Sequence, residues 1–340
     1  MVSQRGLDVL RAVVHDYVSS REPVGSKSIV ERYSFGVSAA TIRNDMALLE
    51  DEGLIAAPHT SSGRVPTDKG YRLFVDHLAE LRQLTPAQKQ AIEHVLDDST
   101  DFDELLARTV RLLAQLTNQV ALVQYPSLGV TRVRHVELVN VGNHRLLSVL
   151  ITDNGRVEQR LIELAIELTE TDVADLKQRI NERVAGQALT TLSTGLTQSS
   201  TAERDHLASA EQAIMNALGS QILASREHKL VMAGTANLAK TEEDFGGTIF
   251  PVLDAIEEQV TVLKLLAEMS QDHSDVAVRI GHEHDEARLG QTSVLASNYA
   301  AAGEMSSIGL IGPTRMDYST NMAAVRAVAR YLSRLLDSAP

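Results

Sequence analysis

HTSSGRVPTDKGYR, at residues 59–72, is the stretch that decides the fold of this chain. It contains the residues that the tip of a β-hairpin needs in order to approach a phosphate backbone. We expect Gly63 to supply a positive φ, and Arg64 to reach a phosphate or to enter a minor groove. The neighbouring hydroxyls can donate to phosphate oxygens, and Thr67 can cap a following helix. A polar surface turn would have a similar composition, so the segments ahead of this stretch decide between the two interpretations.

Three helices are predicted ahead of the hairpin. Apolar residues recur at helical spacing in the first, and Pro23 and Gly25 end it, because proline lacks an N–H and glycine turns freely. Ser26 is expected to cap a short second helix that runs to residue 33, and a turn at 34–37 leads into a third. The order helix, helix, turn, helix, hairpin is that of a winged helix-turn-helix.

The third helix, over residues 38–51, has two different faces. Ile42, Met46 and Leu49 share one face, which predicts that this face is buried. Small residues line the other face together with Asn44, which can pair with adenine, and an arginine, which can pair with guanine. An ordinary surface helix would look similar in isolation, but the hairpin that follows favours a recognition helix. The candidate DNA contacts are Ser38, Ala40, Thr41, Arg43, Asn44, Ala47, His59, Thr60, Ser61, Gly63, Arg64, Lys69 and Arg72.

Several blocks of the sequence resemble one family, the heat-inducible transcription repressor HrcA family. The blocks are PVGSK at 23–27, ATIRNDM at 40–46, the hairpin at 59–72, GTANL at 234–238, IGHE at 280–283 and IGPTRMDY at 311–318. They occur in the same order as in the family and extend over nearly the whole chain. His284 departs from the family's usual pattern.

The resemblance implies an architecture and a set of partners. The architecture is a winged helix-turn-helix followed by a GAF-like domain, which is interrupted by an inserted dimerisation domain. The expected partners are double-stranded DNA with an inverted-repeat operator (the CIRCE element upstream of chaperone operons), a second copy of the chain, and a GroEL-type chaperonin that maintains the active repressor. Nothing in the sequence by itself indicates the chaperonin.

Composition limits the class of protein. The chain has 340 residues, 44% of them hydrophobic, with no apolar stretch long enough to span a membrane and no visible signal peptide. It contains no Cys, which excludes disulfides and thiolate zinc sites. We therefore expect a cytoplasmic protein of two or three domains, without membrane association.

The negative charge of the chain is unevenly distributed. Residues 1–78 carry nine Lys and Arg against ten Asp and Glu, so only −1 of the total charge of −13 belongs to them. The near-neutral N-terminal region can bind DNA through locally placed cations, although one copy is expected to bind weakly. Dimerisation would double the phosphate contacts and impose a two-fold symmetric site.

The remainder of the chain predicts an α+β multi-domain protein. Strand-like segments lie at 120–124, 133–139, 145–152, 156–162, 229–233, 276–280, 292–297 and 308–311, and Asn154-Gly155 predicts an antiparallel hairpin. A capping box at Thr169 opens a helical block, and a helix at about 317–336 closes the chain. Strands, a helical block and further strands indicate one domain with an insertion. The predicted domains are 1–78 (winged helix-turn-helix), 79–118 (helical connector), 119–169 with 226–340, and an insertion at 170–225. The family resemblance implies that the interrupted domain is GAF-like and that the insertion is a dimerisation domain.

Other candidate sites are weaker. If residues 280–284 were extended, His282 and His284 would share one face and could bind a metal with His273 or Asp275, but a solvated charged loop is the favoured interpretation. Arg315 could bind an anion, although a structural pairing with a carboxylate or a carbonyl is favoured. Catalytic motifs are missing, so we expect no enzyme, no metal and no cofactor. A winged-helix regulator of another regulon, with the α+β domain as a ligand sensor, stays open as the alternative.

Overall fold

The computed structural model describes residues 2–59, 62–77, 84–97, 102–126, 132–153, 155, 157–189, 207–225, 230–245, 248–272, 274–301 and 304–337. We name three parts of the described chain the head (2–77), the body (102–126 and 230–337) and the insert (132–225); the insert has a core of its own, whereas the buried side chains of the head are continuous with one core of the body. Helix α5, Pro86–Asp97, connects the head to the body. No helix among these described residues is long and apolar enough to cross a membrane.

The head has the predicted order of elements. These are α1 Gln4–Ser20, α2 Ser26–Arg32, α3 Ala39–Asp51, β1 Ile55–Ala56, β2 Val65–Pro66 and α4 Asp68–Asp76. Strands β1 and β2 pair antiparallel, and the backbone of Val24 pairs with Arg64 on the other side of β2. Ser38 caps α3 and Thr67 caps α4, as predicted, whereas Ser26 is the first residue of α2 and not its cap. The order of the helices and of the hairpin strands is therefore the predicted one.

A five-stranded antiparallel sheet forms the centre of the body. Its strands are β3 Val120–Gln124, β7 Leu230–Ala233, β8 Ala277–Ile280, β9 Thr292–Ala301 and β10 Glu304–Pro313, in the order β7-β3-β10-β9-β8. Alternate residues of β3 enter two different cores, because successive side chains of a strand point to opposite faces. Ala121 and Val123 pack under α6 Phe102–Thr117 and α12 Tyr318–Asp337. Val120 and Leu122 face the second core.

Three helices on that second face were not predicted from the sequence. They are α9 Thr235–Lys240, α10 Phe250–Glu257 and α11 Gln259–Met269. Val252 and Ile256 of α10 and Val262 and Leu266 of α11 are buried against the sheet. Their i, i+4 spacing is a helical signal that the sequence already contained.

The insert begins earlier than predicted. Strands β4 Val133–Asn140, β5 Arg145–Thr152 and β6 Val157–Glu163 form a separate three-stranded sheet, covered by α7 Glu170–Val184 and α8 Ala208–Ser225. Val136, Leu150 and Ile162 share a core with Leu176 and Ile214, which is separate from the cores of the body. Within the described residues β4–β6 pair with one another and not with β3, so the structure groups them with the predicted insertion, whereas the sequence grouped them with β3.

Local predictions inside the insert are confirmed. Strands β5 and β6 pair antiparallel around Gly155, which adopts a φ of +80°, while Asn154 lies outside the described residues. The side chain of Thr169 accepts from the Asp172 N–H, and the Asp172 carboxylate accepts from the Thr169 N–H. This is the predicted capping box.

Candidate nucleic-acid interface

Helix α3 presents a polar face of small residues to solvent. Ile42, Met46 and Leu49 are buried, while Ala40, Arg43, Asn44 and Ala47 are exposed and Thr41 is partly exposed. The Ser38 hydroxyl accepts from the Thr41 N–H at 3.3 Å and so satisfies one of the free amides at the start of the helix. The exposed face bears one amide and one guanidinium among small residues, with Leu48, which is 64% exposed, one turn further on. An amide and a guanidinium are groups that can read base edges in a major groove.

A groove of about 430 Å³ lies beside this face, between α2, α3 and the hairpin. Lys27 and Arg43 line it from the two helices, and Ser62 and Gly63 line it from the hairpin. Lys27 was not among the sequence-predicted contacts, although it belongs to the PVGSK block. Its exposed ammonium supplies a positive charge on the same side as Arg43, which is where a phosphate backbone beside a bound helix would pass.

Gly63 is required for a different reason from the predicted one. It does not adopt a positive φ. A Cβ on Gly63 would instead lie 2.5 Å from the carbonyl oxygen of Pro23. The hairpin therefore packs directly on the backbone ahead of α2, and the absence of a side chain permits this close approach.

Arg64 has partners inside the head. Its Nε donates to Oε2 of Glu50 at 2.9 Å, and its Nη1 donates to the Ser62 carbonyl at 3.2 Å. These bonds tie the hairpin to α3. A phosphate contact by Arg64 would have to compete with Glu50 for the guanidinium.

The remaining head candidates have separate surroundings. His59 is exposed, and its carbonyl accepts from the Ser62 hydroxyl in the hairpin turn, while Thr60 and Ser61 lie outside the described residues. The exposed Lys69 ammonium donates to the Glu52 carbonyl at 2.6 Å, at the C-terminal end of α3. A cation at this helix end is favourable for the helix dipole, so Lys69 has a structural role whether or not it also contacts DNA.

Arg72 connects the head to the body. Its guanidinium donates to both carboxylate oxygens of Glu283, with 2.7 Å between Nε and Oε1, and to the Val278 carbonyl. Burial raises the pKa of Glu283, but hydrogen bonds from Arg72 and the Ile280 N–H outweigh burial, so this pKa lies below its ordinary value. Arg72 thus has a role in head–body docking, and a DNA contact by Arg72 would have to compete with Glu283 for the guanidinium.

Arg315 forms a second head–body contact, as the favoured structural interpretation predicted. Its Nε and Nη2 donate to the two oxygens of Asp244 at 2.7 and 2.8 Å. Its Nη1 donates to the carbonyl of Val18, in the last turn of α1, at 2.7 Å. The Arg315 and Asp244 side chains are only 9% and 6% exposed, so the pair is a buried clamp.

The two histidines that suggested a metal site have different surroundings. Residues Gly281–Glu283 form a 3-10 turn, so the premise of an extended segment is wrong. The exposed His282 bonds to Asp68 of the head at 2.6 Å, whereas His284 is buried with Nε2 near the Thr292 carbonyl. Burial lowers the pKa of His284 and favours its neutral form. His273 lies outside the described residues, and those residues contain no group of three potential metal-binding side chains.

Comparison with known proteins identifies the family. Residues 103–322 match the family described as "HrcA protein C terminal domain". The chain is 62% identical over 338 residues to "Heat-inducible transcription repressor HrcA" from Clavibacter michiganensis subsp. michiganensis, with 99% of each chain covered. The repressor of the same name from Leifsonia xyli subsp. xyli is also 62% identical, over 337 residues and 99% of each chain. A crystal structure described as "a hypothetical protein at 2.2 A resolution" has the same fold, with a TM-score of 0.67, 24% identity and 99% of both chains covered. The chain belongs to the HrcA family of heat-inducible transcription repressors.

Proposed function

We propose that the protein represses chaperone operons by placing two heads on the halves of a CIRCE-type inverted-repeat operator. The exposed face of α3 carries the proposal: Asn44 and Arg43 stand among small residues that allow close approach to base edges. We infer that Asn44 reads an adenine, that Arg43 contacts a base or a phosphate, and that Lys27 binds the adjoining backbone. Bound in this way, the repressor would exclude RNA polymerase from the promoter.

Operator binding tests this assignment. Asn44→Ala is expected to reduce the preference for operator over random DNA by about 1–3 kcal/mol, because a base edge loses its partner. Lys27→Gln is expected to weaken operator and random DNA alike and to reduce the salt slope by about one. Asn216→Ala on α8 is the matched amide control, and Lys240→Gln on α9 is the matched charge control. The assignment fails if Asn44→Ala leaves the preference unchanged.

We infer that dimerisation uses the outer face of the β4–β6 sheet. Helices α7 and α8, where the interface was expected, cover the inner face of this sheet. The outer face carries the exposed apolar residues Val139, Val157 and Leu161, which are 44%, 53% and 50% exposed, beside polar residues such as Glu137 and Gln159. Cross-strand pairing places Leu147 beside both Val139 and Leu161, so these three side chains form one continuous apolar patch. Such a patch on an otherwise charged protein favours a second copy of the same surface as its partner.

Sedimentation tests the dimer surface. Leu161→Glu is expected to shift the protein towards monomer and to weaken binding to a full operator more than to a half-site. Val260→Glu on α11 is the control, because Val260 is 64% exposed on a different surface. If Leu161→Glu stays dimeric at the concentrations where the wild-type protein is dimeric, the interface does not lie on this face.

A GroEL-type chaperonin is the proposed regulator, and the topology gives it physical support. Strand β3 pairs with β7 through Gln124 and Leu230, so the sheet closes only after roughly 100 intervening residues have been brought together. Non-local pairing of this kind is slow, and partly folded chains with open apolar faces associate. A chaperonin that shelters this intermediate would raise the active fraction of the repressor.

Refolding tests chaperonin dependence. Denatured protein is diluted with or without chaperonin and ATP, and operator binding is measured in both arms. Higher recovery is expected with chaperonin. Equal recovery in the two arms would contradict this part of the proposal, while operator recognition would stand independently.

A further inference from the structure

A cavity of about 630 Å³ lies between α5 and α12, away from the DNA-facing side of the head. Its volume is within the range of small-molecule sites. Ile92 of α5 and Ala323 of α12 form part of an apolar floor and are 3% and 8% exposed. Tyr331 adds an aromatic ring to the lining.

Four cations line the same cavity. Arg326, Arg330 and Arg334 follow one another at four-residue spacing on α12, and Lys89 faces them from α5. Like charges at this spacing on one helix face repel each other, so the arrangement opposes helix stability unless an anion is near. The cations are also unusual for their location, because residues 79–340 carry a net charge of −12.

The described carboxylates only partly neutralise these cations. Asp275 contacts two of them, with Oδ2 at 2.9 Å from Nη2 of Arg326 and 3.3 Å from Nη2 of Arg330. Glu93 is the carboxylate within the lining, so four positive charges face two negative ones. The guanidinium of Arg334 lies 4.9 Å from the centre of the Tyr331 ring, which holds it by a cation–π contact.

One guanidinium donor in this cluster is unsatisfied. The Nε of Arg326 is buried and has no hydrogen-bond partner among the described residues, although the Nη2 of the same group is paired. Burying an N–H without an acceptor is unfavourable. An oxyanion in the cavity would bring acceptor oxygens to a cluster that has more donors than acceptors.

We propose that this cavity binds a small organic oxyanion, a carboxylate or a phosphate attached to an apolar body about the size of one ring. The arginines and Lys89 hold the oxygens, since planar guanidinium groups match both anions. The apolar body packs on Ile92 and against Tyr331. A nucleic-acid backbone fits less well, because it has no apolar group to fill the floor of the cavity.

Calorimetric titration of the full-length protein with four probes tests the proposal. The probes are phenyl phosphate, 3-phenylpropionate, inorganic phosphate and phenol. Both aromatic anions are expected to bind at least about ten-fold more tightly than phosphate or phenol, because only they satisfy the cations and the apolar floor together. The stronger of the two anions identifies the preferred oxyanion, and its affinity should fall with added salt.

Arginine variants assign the binding to this cavity. Arg330→Gln and Arg334→Gln are each expected to weaken binding of the better aromatic anion about ten-fold, while the melting temperature and operator binding show that the variants fold. Arg134→Gln, an exposed arginine of β4, makes the same charge change elsewhere and should leave the affinity unchanged. Three results would each overturn the proposal. Phenol could bind as tightly as phenyl phosphate, Arg134→Gln could weaken anion binding as much as the cavity variants do, or neither aromatic anion could give heat at millimolar concentration.

Discussion

Replacing Arg315 by Met removes one half of the buried clamp between head and body. In the wild-type protein the guanidinium donates to both oxygens of Asp244 and to the carbonyls of Tyr17 and Val18. Methionine preserves most of the volume but none of these donors. Asp244, which is 6% exposed, would then be left in a buried site with Arg21 at 3.3 Å as its remaining described cationic partner.

The magnitude follows from burial. Removing one partner of a buried ion pair costs about 3–5 kcal/mol, because the other charge stays desolvated. Arg21 compensates in part, so we expect the lower end of this range, about 3 kcal/mol. Replacing both partners, in Arg315→Met with Asp244→Leu, should recover a large part of the loss, since two apolar side chains leave no buried charge behind.

Urea unfolding followed by circular dichroism measures the free energy of unfolding of the two single variants and the double variant. Hydrogen exchange at residues 17–21 measures the local effect on the end of α1, which should become less protected. Arg134→Met is the control for loss of an exposed arginine. The reasoning is refuted if Arg315→Met loses less than about 1 kcal/mol, or if the double variant loses as much as the two single variants together.

Of three further predictions, two concern the head and one concerns a buried histidine of the body. Glu50→Gln should strengthen operator binding and make it depend more steeply on salt, because the substitution releases Arg64 and removes a carboxylate beside the groove. An unchanged affinity would indicate that the hairpin stays away from DNA. Gly63→Ala should displace the hairpin, because the added Cβ would meet the Pro23 carbonyl. We expect the free energy of unfolding to fall by about 1–3 kcal/mol and the affinity for the operator to fall with it. Wild-type values for both quantities would contradict the packing argument. Stability should fall as the pH drops from about 6.5 through the lowered pKa of His284, because the unfolded chain takes up the proton first. His284→Gln should flatten this part of the urea-unfolding profile against pH, and an identical slope in the variant would remove His284 as its cause.

Individual residues show how far sequence reasoning extends. Ser38 and Thr169 were predicted as caps, and they are caps because a capping bond spans only three residues of chain. The buried face of α3 was predicted for the same reason, since helical periodicity is local. Lys27 was missed, because an exposed lysine in a short helix has no periodic signal, and only its position beside Arg43 in the folded head indicates a role.

The sequence by itself determined the elements: the helix-turn-helix, the hairpin, the bounds of most strands and the family blocks, all of which depend on residues close together in the chain. Tertiary structure alone decided which strands share a sheet, because β4–β6 and β8–β10 have similar β-forming composition but pack against different helices. It also decided the partners of the arginines. A guanidinium can bind a phosphate, a carboxylate or a carbonyl, so the sequence favoured a structural pairing for Arg315 but could not name a partner. The partners of Arg64, Arg72 and Arg315 are Glu50, Glu283 and Asp244, and only the folded chain brings them together.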